Sequence, residues 1–168
     1  MSTNPKRTQL GKTLLFLGVA VFVMFFDQLT KILAVANLQP FESVPFIFDL
    51  VRLNLVFNDS AAFSLGGSAT WVFTLLSSLA TLALLWFGPK FRTTGWLILI
   101  GMALGGVVGN LIDRLFRNPG FPNGHVVDFI QVPFNFPIFN IADSAITIAA
   151  SIIAIRIIRG EKLGGKSD

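Results

Sequence analysis

Cysteine is absent from this 168-residue chain and histidine occurs once. The first absence removes thiolate nucleophiles, disulfides and thiolate metal sites together, and the second makes a histidine metal cage improbable. No metal site and no cofactor is therefore expected. Charge is also scarce: 13% of residues are charged against 53% hydrophobic, where a soluble domain carries roughly a quarter charged. No G-x-S-x-G elbow or H-E-x-x-H pair occurs. No internal repeat or low-complexity tract is present either. The net charge of +4 comes from short basic clusters between apolar runs, which is a topological pattern and not a nucleic-acid footprint.

What remains is apolar sequence long enough to cross a bilayer. A spanning helix takes about 20 apolar residues, and four windows qualify, at about 13–36, 71–87, 95–115 and 141–158. The first follows basic residues as a signal peptide does, but it is longer than an h-region and continues through Asp27 and Lys31. It is expected to be a retained helix. Lys6, Arg7, Lys12, Lys90, Arg92, Arg159, Lys162 and Lys166 flank the spans on one side, while Arg52 and Arg117 lie on the other. The positive-inside rule then puts both termini in the cytoplasm.

The two long connections become extracytoplasmic. Residues 37–70 include a partly alternating stretch, Phe46 to Leu55, expected to form a small amphipathic β element. The loop at 116–140 is rich in proline and glycine around a strand-like Val126 to Val132. The predicted architecture is all-α, four transmembrane helices with a small β element, in one integral membrane domain over 1–168. Gly101, Gly105 and Gly109 recur at four-residue spacing and predict a face for close helix packing.

The acids carry the chemistry. Asp27, Asp113, Asp128 and Asp143 all fall toward the outer ends of spans or in the outer loop, and an acid at the membrane edge is a functional candidate by default. Each has a local explanation. Asp27 and Lys31 are spaced to pair on one helix face; Asn110, Asp113 and Arg114 form a similar polar cluster; Asn140 can cap the fourth span with Asp143 three residues on, as in a capping box. Asp128 lies among Val127, Phe129 and Ile130 with no cation nearer in sequence than His125. Two carboxyls held close cannot both ionise, so Asp128 and Asp143 together suit acid and base chemistry. The helix N-terminus favours Asp143 as the ionised member. A Ser144, His125, Asp128 triad lacks its nucleophile elbow. A small proton- or ion-coupled transporter is the alternative from another class, but no acid lies in the inner half of a span and no broken-helix repeat appears.

The ordered motifs Asp27-Gln28-Leu29-Thr30-Lys31, Asn58-Asp59-Ser60-Ala61-Ala62-Phe63-Ser64, Gly109-Asn110-Leu111-Ile112-Asp113-Arg114, Val126-Val127-Asp128-Phe129 and Asn140-Ile141-Ala142-Asp143 resemble those of the bacterial lipoprotein signal peptidases, or signal peptidase II. That resemblance implies a four-span aspartic peptidase with Asp128 and Asp143 as catalytic dyad. It implies Asn58, Asn110, Arg114 and Asn140 as substrate-pocket residues and Asp27, Lys31 and Asp113 as structural support. It also implies a membrane-inserted prolipoprotein substrate, cut before its lipidated cysteine, in the bacterial cytoplasmic (inner) membrane. Membrane lipids are the other expected partner, nucleic acid is not one, and a monomer is expected. Phe57 and Ser60 stand where the family often has arginine and glycine. Phe116, Phe121, Phe129, Phe134 and Phe136 are candidate apolar contacts for substrate or membrane.

Overall fold

The computed structural model describes residues 5–59 and 70–162, with side chains from residue 9 onward. The chain runs α1 (Pro5–Asn37), β1 (Ser43–Ile47), β2 (Val51–Asn58), α2 (Thr70–Phe87), α3 (Thr94–Phe116), β3 (Val126–Gln131) and α4 (Ile141–Ile158), with a single 3-10 turn at Gly88–Lys90 between α2 and α3. All four α-helices are long and apolar enough to cross a membrane. Three match the expected windows to within a residue. α1 instead begins eight residues before its window, because backbone hydrogen bonding continues into the basic leader while hydropathy marks only the apolar part.

α3 is the central helix and packs against α1, α2 and α4. Its glycines explain how α1 comes so close. A Cβ on Gly101 would lie 2.8 Å from the Phe16 carbonyl oxygen, and one on Gly105 would lie 2.5 Å from that of Ala20. Without side chains there, the two backbones approach directly. Phe16, Ala20, Leu97, Ile100 and Leu104 fill the seam around them. At the turn into α3, Gly88 leaves room for the ring of Phe16, whose Cζ would be 2.5 Å from an added Cβ.

The β element is larger than the sequence implied. β1 and β2 form an antiparallel hairpin, and β3, from the other long connection, adds antiparallel to β2 to give the order β1-β2-β3. Arg52 pairs with Gln131, Val56 with Asp128 and Asn58 with Val126. Between Leu53 and Val56 the register shifts, since β2 advances three residues while β3 advances two, which is a bulge that bends the strand. Ala34, Leu55, Val127 and Phe129 form an apolar cluster that seats the sheet on the C-terminal end of α1, with Ile141 of α4 packed alongside. Phe129 is buried in this cluster and also lines an apolar cavity with Leu33, Ala34 and Ile141, whereas Phe116, Phe121, Phe134 and Phe136 are exposed.

Candidate active site

Strand alternation sets the first carboxylate. Val127 and Phe129 turn into the cluster on α1, so Asp128 between them points to the opposite face. It is nonetheless buried, at 2% exposure. Asn58 Nδ2 donates to Asp128 Oδ2 at 2.8 Å and Asn140 Nδ2 donates to Oδ1 at 2.6 Å. Burial pushes the Asp128 carboxyl up to about 6, and the charge of Asp143 adds to the rise; the two asparagine donors and Lys31 oppose it.

Helix capping sets the second. Asn140 is the N-cap of α4: its Oδ1 accepts from the Asp143 N–H at 2.9 Å, and its own N–H donates to Asp143 Oδ2 at 3.2 Å. This is the capping box in full, with asparagine and aspartate in the two roles. The cap does not use up Asp143. Its Oδ1 accepts a further hydrogen bond from Asn110 Nδ2 at 2.7 Å, so α3 reaches the carboxylate as well. The capping and site interpretations of Asp143 describe the same atoms.

Beneath both carboxylates lies a buried ion cluster. Lys31 Nζ is 2.8 Å from Asp27 Oδ2 and 2.8 Å from Asp113 Oδ2, and all three side chains are fully buried. Its third hydrogen bond goes to Asn110 Oδ1 at 2.9 Å. The expected Asp27–Lys31 pair is present. Asp113, which the sequence groups with Asn110 and Arg114, pairs with Lys31 and with Arg117, whose Nε is 2.6 Å from Asp113 Oδ1. The cause is helix geometry: Arg117 is four residues on and shares the face of Asp113, whereas Arg114, one residue on, points away.

Arg114 lies over the ring of Phe73, its guanidinium carbon 5.9 Å from the centroid, and Nη1 donates to the Asn110 carbonyl at 3.3 Å. Among the described residues its buried Nε has no acceptor. Asn58, Asn110 and Asn140, expected along a substrate pocket, each hydrogen-bond a carboxylate of the Asp128 and Asp143 pair. Ser144 donates its hydroxyl to the Asn140 carbonyl at 2.9 Å and so is occupied within its own helix. Residues Ser60 to Ser64 of the second motif lie outside the described residues. Among those described, no three His, Asp or Glu side chains gather as a set for a metal ion.

Two members of the cluster were not singled out from sequence. Gln28 Nε2 donates to the Gly109 carbonyl at 2.9 Å and to Asp113 Oδ1 at 3.1 Å, and Arg117 supplies the cation just described. A glutamine inside an apolar span is itself a signal, since buried amides need partners. Arg117 reads in the sequence only as a charge of the outer loop.

Comparison with known proteins places the chain in a family. The pattern described as Signal peptidase (SPase) II matches residues 19–159. A lipoprotein signal peptidase of Leifsonia xyli subsp. xyli is 41% identical over 168 residues, covering 99% of this chain and 78% of the relative. That of Mycobacterium avium is also 41% identical, over 95% of this chain and 87% of its own. A bacterial membrane enzyme solved by the in meso method superposes with a TM-score of 0.75 at 31% identity, covering 84% of this chain and 91% of that one. With its four apolar helices, three-stranded sheet and buried carboxylates, the chain belongs to the signal peptidase II family of multi-pass membrane peptidases.

Proposed function

We propose that Asp128 and Asp143 are the catalytic dyad of this peptidase and that it cleaves prolipoproteins before their lipidated cysteine. The observation that carries the assignment is the double role of Asn140. One side chain donates to Asp128 and closes the cap with Asp143, so both carboxylates are held to a common residue.

The environments divide the work. Asp128, with its carboxyl raised to about 6, holds a proton below that pH and in that state donates it to the scissile carbonyl oxygen. Asp143, at the N-terminal end of α4 with an added donor from Asn110, takes a proton from the attacking water. The tetrahedral intermediate collapses as a proton passes to the leaving amine. Arg114 Nε, a buried donor with no acceptor among the described residues, suits a backbone carbonyl of the substrate, because a polar group left unpaired there costs free energy.

The basic residues favour cytoplasmic termini, which sets the sheet and dyad at the outer face of the bacterial cytoplasmic membrane. An extended peptide exposes amides that lipid cannot satisfy, so a site beside a sheet at the membrane edge suits a signal peptide locally unwound from helix. The protein acts as a monomer and as one domain over its whole length.

The test is cleavage of a diacylglyceryl-modified prolipoprotein by purified wild type, Asp128→Asn and Asp143→Asn in detergent, with folding of each verified. Loss of cleavage in both folded variants is expected. Full activity in either one removes that residue from catalysis.

A further inference from the structure

We propose that Lys31 is a positioning residue for both dyad carboxylates, acting through three acceptors that each hold a segment bearing one of them. The inference rests on Asp128 and Asp143 being the dyad.

An ammonium has three N–H donors, and here each has one acceptor: Asp27 Oδ2, Asp113 Oδ2 and Asn110 Oδ1. What those acceptors do with their remaining atoms is the point. Asp27 Oδ1 accepts the N–H of Ala142 at 2.9 Å, the residue before Asp143. That amide, in the first turn of α4, has no partner within its own helix. Asp113 Oδ2 also accepts the N–H of Val127 at 3.1 Å, the residue before Asp128. Asn110, with its oxygen turned to Lys31 and to Asn140 Nδ2 at 3.1 Å, must present its N–H to Asp143 Oδ1. A flipped amide would aim its N–H at two other donors.

So one buried cation fixes the backbone ahead of each carboxylate and the orientation of a direct donor to one of them. Helix packing alone would not need this. α1 and α3 already close on their glycine seam, near Gly101 and Gly105, and the four charges Asp27, Lys31, Asp113 and Arg117 cancel among themselves. Lys31 is fully buried and meets no substrate, so its contribution is to geometry and field. The groups bearing on it and on the dyad are Asp27 on α1, Asp113, Arg114 and Arg117 on α3, Asp128 on β3 and Asp143 on α4.

Lys31→Met alone leaves two buried carboxylates against one cation and endangers folding. Lys31→Met with Asp27→Asn keeps the cluster neutral and keeps an oxygen for the Ala142 amide. For this double variant, folded by thermal melting and gel filtration, kcat for prolipoprotein cleavage is expected to fall about 100-fold, the scale of a small misplacement of reacting groups. KM should stay within about threefold, since no ground-state contact is lost. The alkaline limb of the pH profile should move upward, because the Lys31 charge favours ionised Asp128. A folded variant with wild-type kcat and pH profile, or a loss confined to KM, overturns the proposal.

A second measurement needs no substitution. Hydrogen exchange in the wild-type protein should find the Val127 and Ala142 amides as protected as the α3 core. Rapid exchange at either overturns its arm of the proposal. Dyad and hub are judged apart: active Asp128→Asn or Asp143→Asn protein defeats the dyad, whereas inactive dyad variants beside a fully active double variant defeat Lys31 alone.

Discussion

Asn140 Nδ2 lies 2.6 Å from Asp128 Oδ1, and this single contact joins the strand of one long connection to the first turn of the last helix. It also couples two functions that are separable by substitution, because the side-chain oxygen of Asn140 caps α4 while its nitrogen serves Asp128.

Serine at this position retains an N-cap acceptor but is too short to reach Asp128. Asn140→Ala loses both. The alanine variant should therefore be less stable than the serine variant by about 1 kcal/mol. Both should lose most of their kcat, and in both the alkaline limb should move upward as a donor to ionised Asp128 disappears. Thermal melting and pH-rate profiles decide it; a serine variant with full kcat would show that the Asn140 donor is dispensable.

Asp128 should make stability depend on pH. Its carboxyl titrates at 3.8 when unperturbed and at about 6 in the folded protein, so the folded state holds the proton more tightly. Below the unfolded value there is no net effect. Stability then falls as pH rises from about 4 to about 6, and above that window the buried carboxylate costs about 3 kcal/mol. Asp128→Asn removes this penalty. Its melting temperature relative to wild type should be higher at about pH 8 than at about pH 4. A difference that does not change with pH would contradict the raised carboxyl.

The α1–α3 seam offers a packing test. A Cβ at Gly105 would meet the Ala20 carbonyl oxygen at 2.5 Å and Val23 Cβ at 2.7 Å, while one at Gly18 has nothing within 4 Å. Gly105→Ala should destabilise by about 1–3 kcal/mol, as overpacking does. Gly18→Ala should stay within about 0.5 kcal/mol of wild type or gain slightly. Equal melting temperatures for the two variants would mean that the seam is not close-packed.

Much of the fold was legible because its determinants are local. Span boundaries follow from runs of apolar residues, the Asn140 and Asp143 cap from a three-residue spacing, and the Asp27 and Lys31 pair from a four-residue spacing. The strand at Val126 was visible in its β-branched residues. α1 overran its hydropathy window because a helix does not end where apolar sequence begins. The Ser60 to Ser64 motif was singled out in sequence but lies outside the described residues.

By itself, then, the sequence determined four apolar helices, a glycine face on the third and two carboxylates in distinct local frames. Tertiary structure alone decided that β3 joins β2, that Asn58 reaches Asp128 across 70 positions, and that Asp113 meets Lys31. The reason is physical. Backbone periodicity says which way a side chain points along its own element, but a buried polar group takes whichever partner folding brings within about 3 Å. For Lys31 that meant Asn110 and Asp113 on α3 besides Asp27 on its own helix, and no spacing along the chain encodes that meeting of α1 with α3.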